Sequence, residues 1–524
     1  MGLLPIGYLL LALIGGAPAS PLVPPLPPGV QVPSWAARGA ELIGIDALGW
    51  AALTFLSLSV MLTLLGAFAV LIVEAWRGRV RLGPVRFAAG ISLVVAVAAP
   101  LLLSRDVYSY AAYGRMFALY DSNPYLHPPS DFPADPFVRV TSTAWLDTRS
   151  VYGPAFTVAG AGVARAWAGS PAGTILGFKV LAALAVALTG LLVTVAARRL
   201  RPGREAMAAI AVGLNPVIVV HAVGGGHNDA LVAALIAGAL VLAAPRGLTT
   251  DRLERSGVAP SMLGATALLT TGSLIKVVAA LPLLFWVFSL VRTSRSGDRF
   301  RVLGAHALVA GLVAVAFIAP FAEGWRSLSS MTTLASLEGW ASGPALLARG
   351  ARTLGRALAG TGLGDAMAKA VSGAFLGAVA YVLWPILRRA RPYATRRAGL
   401  DQDPVDGVYT PAVMWGASLL MLSLGAPYLL PWYAAWFIPL LPLASDDRLA
   451  IIGLAAAGLL AVTGIPAEPG PAPGLWEGMK LAVHYVAAPV MLVLFAAAAA
   501  RVRSLARTSR PPAPLTPTAP PLER

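Results

Sequence analysis

Apolar runs close to the length that crosses a bilayer recur along almost the whole chain, and they restrict its fold more than any other feature. A membrane-spanning helix needs about 20 predominantly apolar residues. Of the 524 residues 57% are hydrophobic and only 12% are charged, whereas soluble domains carry about 25% charge. The sequence therefore predicts an all-α polytopic membrane protein.

Basic clusters between the apolar runs predict the orientation of the chain. Arginine-rich segments lie at 77–86, 198–204, 252–255, 292–301, 388–397 and 501–507, and such loops stay on the cytoplasmic side of a membrane. With both chain ends cytoplasmic, we predict about fourteen transmembrane spans, near residues 3–17, 50–74, 84–103, 174–196, 205–221, 229–244, 259–275, 277–291, 303–320, 367–387, 408–424, 430–444, 448–465 and 482–500.

The excess of basic residues has the same explanation. The chain has 40 Lys+Arg against 24 Asp+Glu, a balance that elsewhere suggests nucleic acid. Most of these residues fall in short loops, where they set the topology, so no nucleic-acid partner is expected. The absence of cysteine excludes disulfides, thiolate nucleophiles and cysteine-ligated metals.

The first twenty residues form an apolar segment that lacks a positively charged start. Such a segment is either a cleaved signal or a first span. We favour a span because the predicted topology, with both chain ends cytoplasmic, then agrees with the positions of the basic loops. The proline-rich stretch 21–33 is typical of an extended loop.

One apolar run, 153–168, does not fit the alternation of the basic loops. It is short, contains Arg165 and Trp167, and follows a Gly-Pro pair, so we interpret it as an interfacial helix on the outer surface. The predicted regions are N-terminal spans in 1–103, a long extracytoplasmic loop with interfacial helices in 104–173, central spans in 174–320, an outer loop in 321–366, C-terminal spans in 367–500 and a disordered cytoplasmic tail in 501–524.

The acid at the start of the long outer loop is the first candidate functional residue. Asp106 lies three residues after the end of the apolar run 91–103, and an acid so near the hydrocarbon boundary needs a partner or a function. A salt bridge to Arg105 or Arg115 is one explanation. A general base is the other, because a carboxylate at the mouth of a span is held rigidly near a reacting hydroxyl.

Aromatic and polar side chains are concentrated in the same loop and at one later helix mouth. They offer flat faces and hydrogen-bonding tips that suit sugar recognition, although aromatic belts at membrane interfaces give the same pattern. The candidates for sugar or lipid contact are Tyr108, Tyr110, Asn123, Tyr125, His127, Tyr152, Trp432 and Tyr433.

A glycine-rich turn, "VGGGHNDAL" at 223–231, lies between two predicted spans. Its backbone N–H groups suit a phosphate, although it lacks the spacing of a P-loop. His227, Asn228 and Asp229 offer polar side chains there, while Asn228 or Asp229 equally suits a helix cap.

Two lysines lie within or beside apolar segments. Lys276, near the outer side, is a natural partner for a lipid phosphate. Lys179 lies about six residues inside its span, and we expect it to snorkel to the interface. The five histidines are scattered and the outer loop has no D-x-D pair, so no cofactor is expected and no ligand set supports a divalent metal.

Three segments carry a family resemblance. "SRDVYSYAAYGRMFALYDSNPY", "SVYGPAF" and "NPVIVVHAVGGGHNDAL" resemble the actinobacterial polyprenyl-phosphate-mannose-dependent α-1,6-mannosyltransferases, which are multi-spanning glycosyltransferases of the GT-C type. The resemblance extends over about residues 50 to 500. It implies that Asp106 is the catalytic base and that Arg105, Arg115, His227, Asn228, Asp229 and Lys276 lie near the donor phosphate or sugar. Many relatives carry two adjacent acids at this mouth; the neighbour here is Arg105, which disfavours a two-acid or metal-bridged site.

The resemblance also implies a reaction and its partners. Mannose would pass with inversion from polyprenyl-phosphate-mannose to a growing α-1,6-mannan of lipomannan or lipoarabinomannan. The site would face the outside of the plasma membrane, with the polyprenyl chain in a groove open to the bilayer.

Two other classes make different predictions. A transporter or lipid-linked glycan flippase would place its charges near the midplane and often show inverted repeats. An O-antigen-type ligase would depend on Arg and His side chains in a large outer loop and would not need Asp106.

Overall fold

A computed structural model describes residues 1–244, 257–323, 337–390, 410–444 and 446–508, and over these ranges the protein is all-helical. Its helices, numbered in chain order, are α1 (Leu3–Gly16), α2 (Ser34–Leu42), α3 (Trp50–Trp76), α4 (Leu82–Ala98), α5 (Asp106–Leu119), α6 (Thr143–Leu146), α7 (Pro154–Ala166), α8 (Pro171–Leu200), α9 (Glu205–Gly213), α10 (Asp229–Ala243), α11 (Pro260–Ser273), α12 (Ala280–Thr293), α13 (Arg299–Ile318), α14 (Gly343–Arg389), α15 (Pro411–Gly425), α16 (Ala434–Phe437), α17 (Asp447–Thr463), α18 (Pro473–Ala482) and α19 (Ala488–Thr508).

Five segments in the described ranges are long and apolar enough to cross a membrane: Trp50–Trp76, Pro171–Leu200, Ser296–Phe321, Gly343–Arg389 and Pro473–Arg507. A sixth forms if α9 and the π-helix Val217–Val223, which meet at 43°, are one broken span. Pro216 lies at this break, where its missing N–H and fixed φ interrupt a helix. Several shorter apolar helices accompany them, and the total of about fourteen spans stays a prediction.

The predicted span at 430–444 is wrong as a continuous helix. The segment consists of the 3-10 turns Pro431–Tyr433 and Leu441–Leu443 with the four-residue helix α16 between them. Prolines at 431, 439 and 442 remove helical hydrogen bonds and break the run. The segment is nevertheless buried, which is why its apolar composition resembles that of a span.

Two other predicted boundaries also differ from the structure. The outer loop 321–366 is not a simple loop, because α14 begins at Gly343 and continues to Arg389 through a kink at Ala359 and Gly360. The predicted disordered tail 501–524 begins as helix, because α19 reaches Thr508. The basic segment 252–255, most of 388–397 and residues 509–524 lie outside the described residues.

The first long loop is built around a buried helix. Residues 107–116 of α5 are buried, and α5 packs against α7, which occupies most of the apolar run 153–168. The helices approach closely at Gly114, where a Cβ would lie 2.6 Å from the backbone of Gly160. Small residues at a helix crossing permit such close approach, and the contact fixes α5 against the bundle. The position of α7 along a membrane surface stays a prediction.

The start of α7 is also attached to the segment that follows α11. The backbone N–H of Gly153 donates to the Ile275 carbonyl (3.1 Å), and that of Ala155 donates to the Leu274 carbonyl (3.0 Å). A Cβ on Gly153 would overlap the Leu274 carbonyl, so glycine is required at this contact. The attachment sets the position of Lys276 relative to α5.

Candidate functional site

Asp106 is the first residue of α5, and the backbone leading to it is tied down on two sides. Leu103 adopts a left-handed φ of 63°, and its N–H donates to the Leu22 carbonyl (2.8 Å). The Leu102 N–H donates to the Gly224 carbonyl (3.1 Å). Non-glycine residues adopt this conformation only when the surrounding structure enforces it. The backbone segment that positions Asp106 is therefore held in place and is hydrogen-bonded to the glycine-rich turn.

The glycine-rich turn depends on glycine for two physical reasons. Gly226 has a φ of 65°, and a Cβ there would lie 2.8 Å from Val107 on α5. At Gly225 a Cβ would lie 2.5 Å from the His221 carbonyl and 2.8 Å from the His227 ring. The turn thus packs directly against α5 and presents the next three residues to Asp106.

Gly226→Ala is expected to impair this packing. The variant adds strain at a positive φ and a contact too close to Val107, so we expect a loss of about 1–3 kcal/mol of stability. The midpoint of thermal unfolding in detergent measures the loss, with Gly78→Ala as the control because Gly78 also has a positive φ but no neighbour within 4 Å of its Cβ position. Equal losses in both variants would contradict a specific role for the packing.

His227 lies beside the Asp106 carboxylate. Its Nδ1 is 3.6 Å from Asp106 Oδ2 and 3.3 Å from the Tyr110 hydroxyl. Its ring stacks on Trp432 with centroids 3.6 Å apart and planes at 16°. This stack fixes the imidazole plane, so His227 links the acid on α5 to the aromatic segment after α15.

Asp229 and Lys276 form a buried ion pair next to His227. Lys276 Nζ donates to Asp229 Oδ1 at 2.8 Å, and Trp436 Nε1 donates to the same oxygen at 2.7 Å. The lysine also lies 4.5 Å from the centroid of the Tyr433 ring, within the range of a cation–π contact. Asp229 is fully buried, and such a charge requires this compensation.

The structure does not support the alternative that the Asn228 side chain caps the N-terminus of α10. Its side chain makes no capping hydrogen bond to α10; its Oδ1 lies 3.5 Å from the Tyr110 hydroxyl. Three of the buried polar atoms that have no hydrogen-bond partner in the described part of the chain lie on this turn: His227 Nε2, Asn228 Nδ2 and Asp229 Oδ2. Unpaired buried polar atoms are rare in proteins, and three on consecutive residues indicate a place where a polar ligand is received.

The pKa values of Asp106 and His227 are shifted in opposite directions by their surroundings. Burial raises the pKa of the Asp106 carboxyl to about 6. The positive charge of Lys276 acts to lower this pKa, and the negative charge of Asp229 acts to raise it further. Its side chain is still 23% exposed. Burial also lowers the pKa of His227 well below its usual value. Near neutral pH the site therefore presents an ionised, accessible carboxylate beside a neutral imidazole.

The two arginines predicted near the donor are both paired elsewhere. Arg115 donates to Asp135 Oδ2 at 2.6 Å and to the Ala168 carbonyl at 3.0 Å, which ties α5 to the end of α7 and away from the Asp106 cluster. Arg105 stays at the mouth, where its Nε donates to Glu468 Oε1 at 2.5 Å. Neither arginine forms an ion pair with Asp106 in the structure, so the salt-bridge explanation of this acid is not supported.

Most of the predicted sugar contacts have structural partners. Tyr110 and Tyr152 pack edge to face at 4.8 Å, the Tyr125 hydroxyl donates to the Tyr152 carbonyl at 2.8 Å, and Asn123 Nδ2 donates to the Phe321 carbonyl at 3.3 Å. Tyr108 is buried against Phe137. His127 is exposed and pairs with Asp131. Of this set the structure brings Tyr110, Tyr152, Trp432 and Tyr433 to the cluster.

The snorkelling expected for Lys179 is wrong. Its Nζ donates to the carbonyls of Ala99 and Pro100, and the side chain is buried at 2% exposure. These carbonyls follow the last turn of α4, where backbone acceptors lack helical partners. Lys179 therefore holds the segment that leads to Asp106.

Trp436 belongs to the same predicted aromatic helix mouth as Trp432 and Tyr433, four positions after Trp432. One residue of the site was missed from the sequence. Glu468, the partner of Arg105, lies in a loop without a motif, and its contact joins positions 363 residues apart, which no local pattern reveals.

Comparisons with known proteins identify a family and several relatives. The family model described as "Alpha-(1->6)-mannopyranosyltransferase, N-terminal domain" matches residues 17–292, more than half of the chain. No solved structure matches the chain.

Three relatives carry the same activity in their names. Alpha-(1->6)-mannopyranosyltransferase B of Corynebacterium glutamicum is 26% identical over 67% of this chain and 56% of its own length. Alpha-(1->6)-mannopyranosyltransferase A of that organism is 30% identical over 36% of each chain, and that of Mycobacterium tuberculosis is 27% identical over 68% of this chain and 65% of its own. The matched region thus spans less than two thirds of each relative. On the strength of the family match, which contains both Asp106 and the glycine-rich turn, this chain belongs to the alpha-(1->6)-mannopyranosyltransferase family of actinobacteria.

Proposed function

We propose that this protein is an inverting mannosyltransferase of the plasma membrane, acting on its outer face. It moves mannose from polyprenyl-phosphate-mannose to a growing α-1,6-mannan of the lipomannan and lipoarabinomannan type. The observation that carries the proposal is the accessible Asp106 carboxylate beside the buried polar atoms of His227, Asn228 and Asp229. The names of the relatives support the sugar and the linkage.

In the proposed reaction, Asp106 accepts the proton of an acceptor hydroxyl. The acceptor oxygen forms a bond to the anomeric carbon of mannose, while the bond from that carbon to the phosphate oxygen breaks. The polyprenyl phosphate leaves with the electron pair. Attack opposite the phosphate inverts the anomeric configuration, so that a β-linked donor gives an α-linked product.

The charge that develops on the leaving phosphate needs fixed positive groups. Two candidates are Lys276 and Arg105, each of which is held by one carboxylate in the structure. The Arg105–Glu468 pair is partly exposed, whereas Lys276 is enclosed by aromatic rings. Arg105 is therefore the cation that a phosphate reaches with the smaller rearrangement.

The unpaired donor of Asn228 and the unpaired acceptor of Asp229 suit sugar hydroxyls. A hydroxyl group both donates and accepts, so neighbouring hydroxyls of mannose can pair with Asn228 Nδ2 and Asp229 Oδ2. Both atoms lie below the surface, and neighbouring side chains have to shift when a sugar reaches them. A site built to hydrogen-bond hydroxyls discriminates strongly against analogues that lack them.

The donor class is tested by supplying purified protein with mannose on two carriers. We expect transfer from mannosyl-phosphoryl-polyprenol and none from a mannose sugar nucleotide, measured as radiolabel in a mannan-type acceptor. Transfer from the nucleotide alone would contradict the proposed donor.

The rate should depend on pH in the direction set by Asp106. A general base works only when deprotonated, and the pKa of this carboxyl is about 6. We therefore expect kcat/KM to be constant above that value and to fall about tenfold per pH unit below it. A pH–rate profile of the wild-type protein measures this, with unfolding monitored in parallel by intrinsic fluorescence. A rate that stays constant well below pH 6, with the protein folded, would rule out Asp106 as the base.

A further inference from the structure

An exposed tryptophan lies just before α14, outside the set of residues assigned to the candidate site. Trp340 is 50% exposed, and two cations lie within cation–π range of its ring centre, Arg349 at 5.1 Å and Lys480 at 5.4 Å. His484 packs edge to face on the same ring at 5.7 Å and 83°. The indole ring is therefore fixed in orientation and still open to a ligand.

A second exposed aromatic residue lies beside the first. Tyr485 is 64% exposed, and its ring packs edge to face on His484 with centroids 4.6 Å apart. Both residues belong to the π-helix Val483–Ala487, and such irregular turns are frequent at functional sites. The aromatic platform comprises Glu338, Trp340, Arg349, His484 and Tyr485.

The polar groups beside these rings suit hydroxyl groups rather than an anion. Arg352 donates two hydrogen bonds to the Glu338 carboxylate, at 2.5 and 3.1 Å, and Arg349 Nη1 lies 3.7 Å from the same carboxylate. Lys480 pairs with Glu477. Each of these three cations already faces a carboxylate, so its charge is compensated. A sugar hydroxyl can accept from a guanidinium group and donate to a carboxylate.

Arg349 also has a donor that is not used within the described ranges. Its Nη2 donates to the Gly339 carbonyl at 3.2 Å and to His484 Nδ1 at 3.0 Å, whereas its Nε is buried and has no hydrogen-bond partner. An aromatic belt at the membrane interface explains exposed rings but not an unused buried donor. Flat rings bordered by hydrogen-bonding groups are typical of sugar-binding surfaces, because the C–H groups of a pyranose pack on the rings.

The segment that carries Trp340 is connected to the candidate site. Gly339 precedes Trp340, and its N–H donates to the Pro427 carbonyl at 2.8 Å. The next residue, Tyr428, packs edge to face on Tyr433 with centroids 6.4 Å apart. Since Tyr433 belongs to the candidate site, Tyr428 connects this part of the platform to it.

The helical segment of the platform has its own connection to the site. Arg105, at the mouth of the site, donates to Glu468, and α18 begins five residues later at Pro473. This helix continues into the π-helix that carries His484 and Tyr485. Both segments that form the platform are therefore attached to the candidate site.

We propose that the aromatic platform binds internal mannose units of the acceptor glycan, an assignment that rests on the proposed function. The donor carries its mannose directly on phosphate, so it has no row of sugars to extend beyond the reaction centre. A growing α-1,6-mannan places its terminal 6-hydroxyl at Asp106 and extends its earlier sugars away from this carboxylate. A sugar-binding surface that is attached to the site but distinct from the Asp106 cluster therefore belongs to the acceptor.

Trp340→Ala removes the main flat surface of the platform and is tested with two acceptors, an α-1,6-mannose disaccharide and the corresponding octasaccharide. For the octasaccharide we expect KM to rise about tenfold, the effect of losing roughly 55 Å² of apolar contact. The kcat should stay unchanged, because the contact is the same in ground and transition states. For the disaccharide, which does not extend to the platform, KM should match wild type. Trp340→Tyr keeps a flat ring and should restore most of the affinity for the octasaccharide.

Trp384→Ala is the matched control. Trp384 is 54% exposed and lies 5.8 Å from Arg388 in a cation–π contact, near the opposite end of α14. We expect wild-type KM values for both acceptors in this variant, with thermal unfolding midpoints confirming that both variants are folded. Equal changes for the two acceptors in Trp340→Ala, or no change for the octasaccharide, would overturn the assignment. A similar rise in Trp384→Ala would also overturn it and favour an aromatic belt.

A second measurement does not depend on transfer. The octasaccharide carrying a diazirine at its reducing end is photolysed with the purified full chain in the absence of donor. Adducts should map to peptides within 338–349 and 473–485 and should be lost in Trp340→Ala but not in Trp384→Ala. Adducts confined to other peptides, or no adducts, would overturn the platform. Adducts at the platform without mannose transfer from any lipid-phosphate donor would refute the proposed function instead.

Discussion

Asp106→Asn should lower the rate of mannose transfer by about 10²–10⁴-fold, the usual contribution of a general base. The amide keeps the size of the carboxyl group but cannot accept a proton. The partial exposure of Asp106 and its lack of an ion-pair partner among the described arginines indicate that the substitution leaves the fold intact. Initial rates with purified protein and saturating donor measure the loss in kcat.

Asp131→Asn is the control for this substitution. Asp131 is an exposed acid in the same loop, and its partner is the exposed His127. We expect the rate of this variant to stay within about twofold of wild type, since exposed pairs contribute little. If Asp106→Asn retains wild-type kcat while the protein is folded, another group must remove the proton.

Lys276→Met should produce the second large effect, on stability as well as on transfer. Removing the lysine leaves the fully buried Asp229 carboxylate without its cation, and breaking a buried pair in this way costs about 3–5 kcal/mol. We expect a marked drop in the thermal unfolding midpoint in detergent and loss of transfer.

The double variant Lys276→Met/Asp229→Asn separates the two effects. It removes both charges, so stability should recover relative to the single variant while transfer stays impaired. Lys480→Met is the control, because its partner Glu477 is 60% exposed and surface pairs contribute about 0–1 kcal/mol. A double variant as unstable as the single one would contradict the ion pair as the cause.

The sequence was sufficient to predict the class of fold and several members of the candidate site. Apolar length and basic loops predicted an all-helical membrane protein, and the position of an isolated acid at a helix mouth made Asp106 a candidate. The turn 223–231 was recognised by its composition, and the structure brings its His227 beside Asp106. These signals are local, because each depends on neighbouring residues in the chain.

The parts that could not be predicted depend on distant contacts. Lys179 was predicted to snorkel to the membrane interface. The fold instead places its ammonium group next to the end of α4, where it donates to two backbone carbonyls. Arg115 was predicted to lie near the donor phosphate, but in the folded chain it forms an ion pair with Asp135. The run 430–444 has the hydropathy of a span, yet its prolines and the burial of Trp432 and Trp436 make it part of the site.

The central claim is tested most directly by the linkage that the purified protein forms in liposomes. With mannosyl-phosphoryl-polyprenol and a short α-1,6-mannoside, NMR of the product should show one added mannose, α-configured and attached to the 6-hydroxyl. Absence of transfer from every lipid-phosphate sugar, together with measurable flux of a solute or a lipid-linked glycan across the liposome membrane, would contradict the account and favour a transporter.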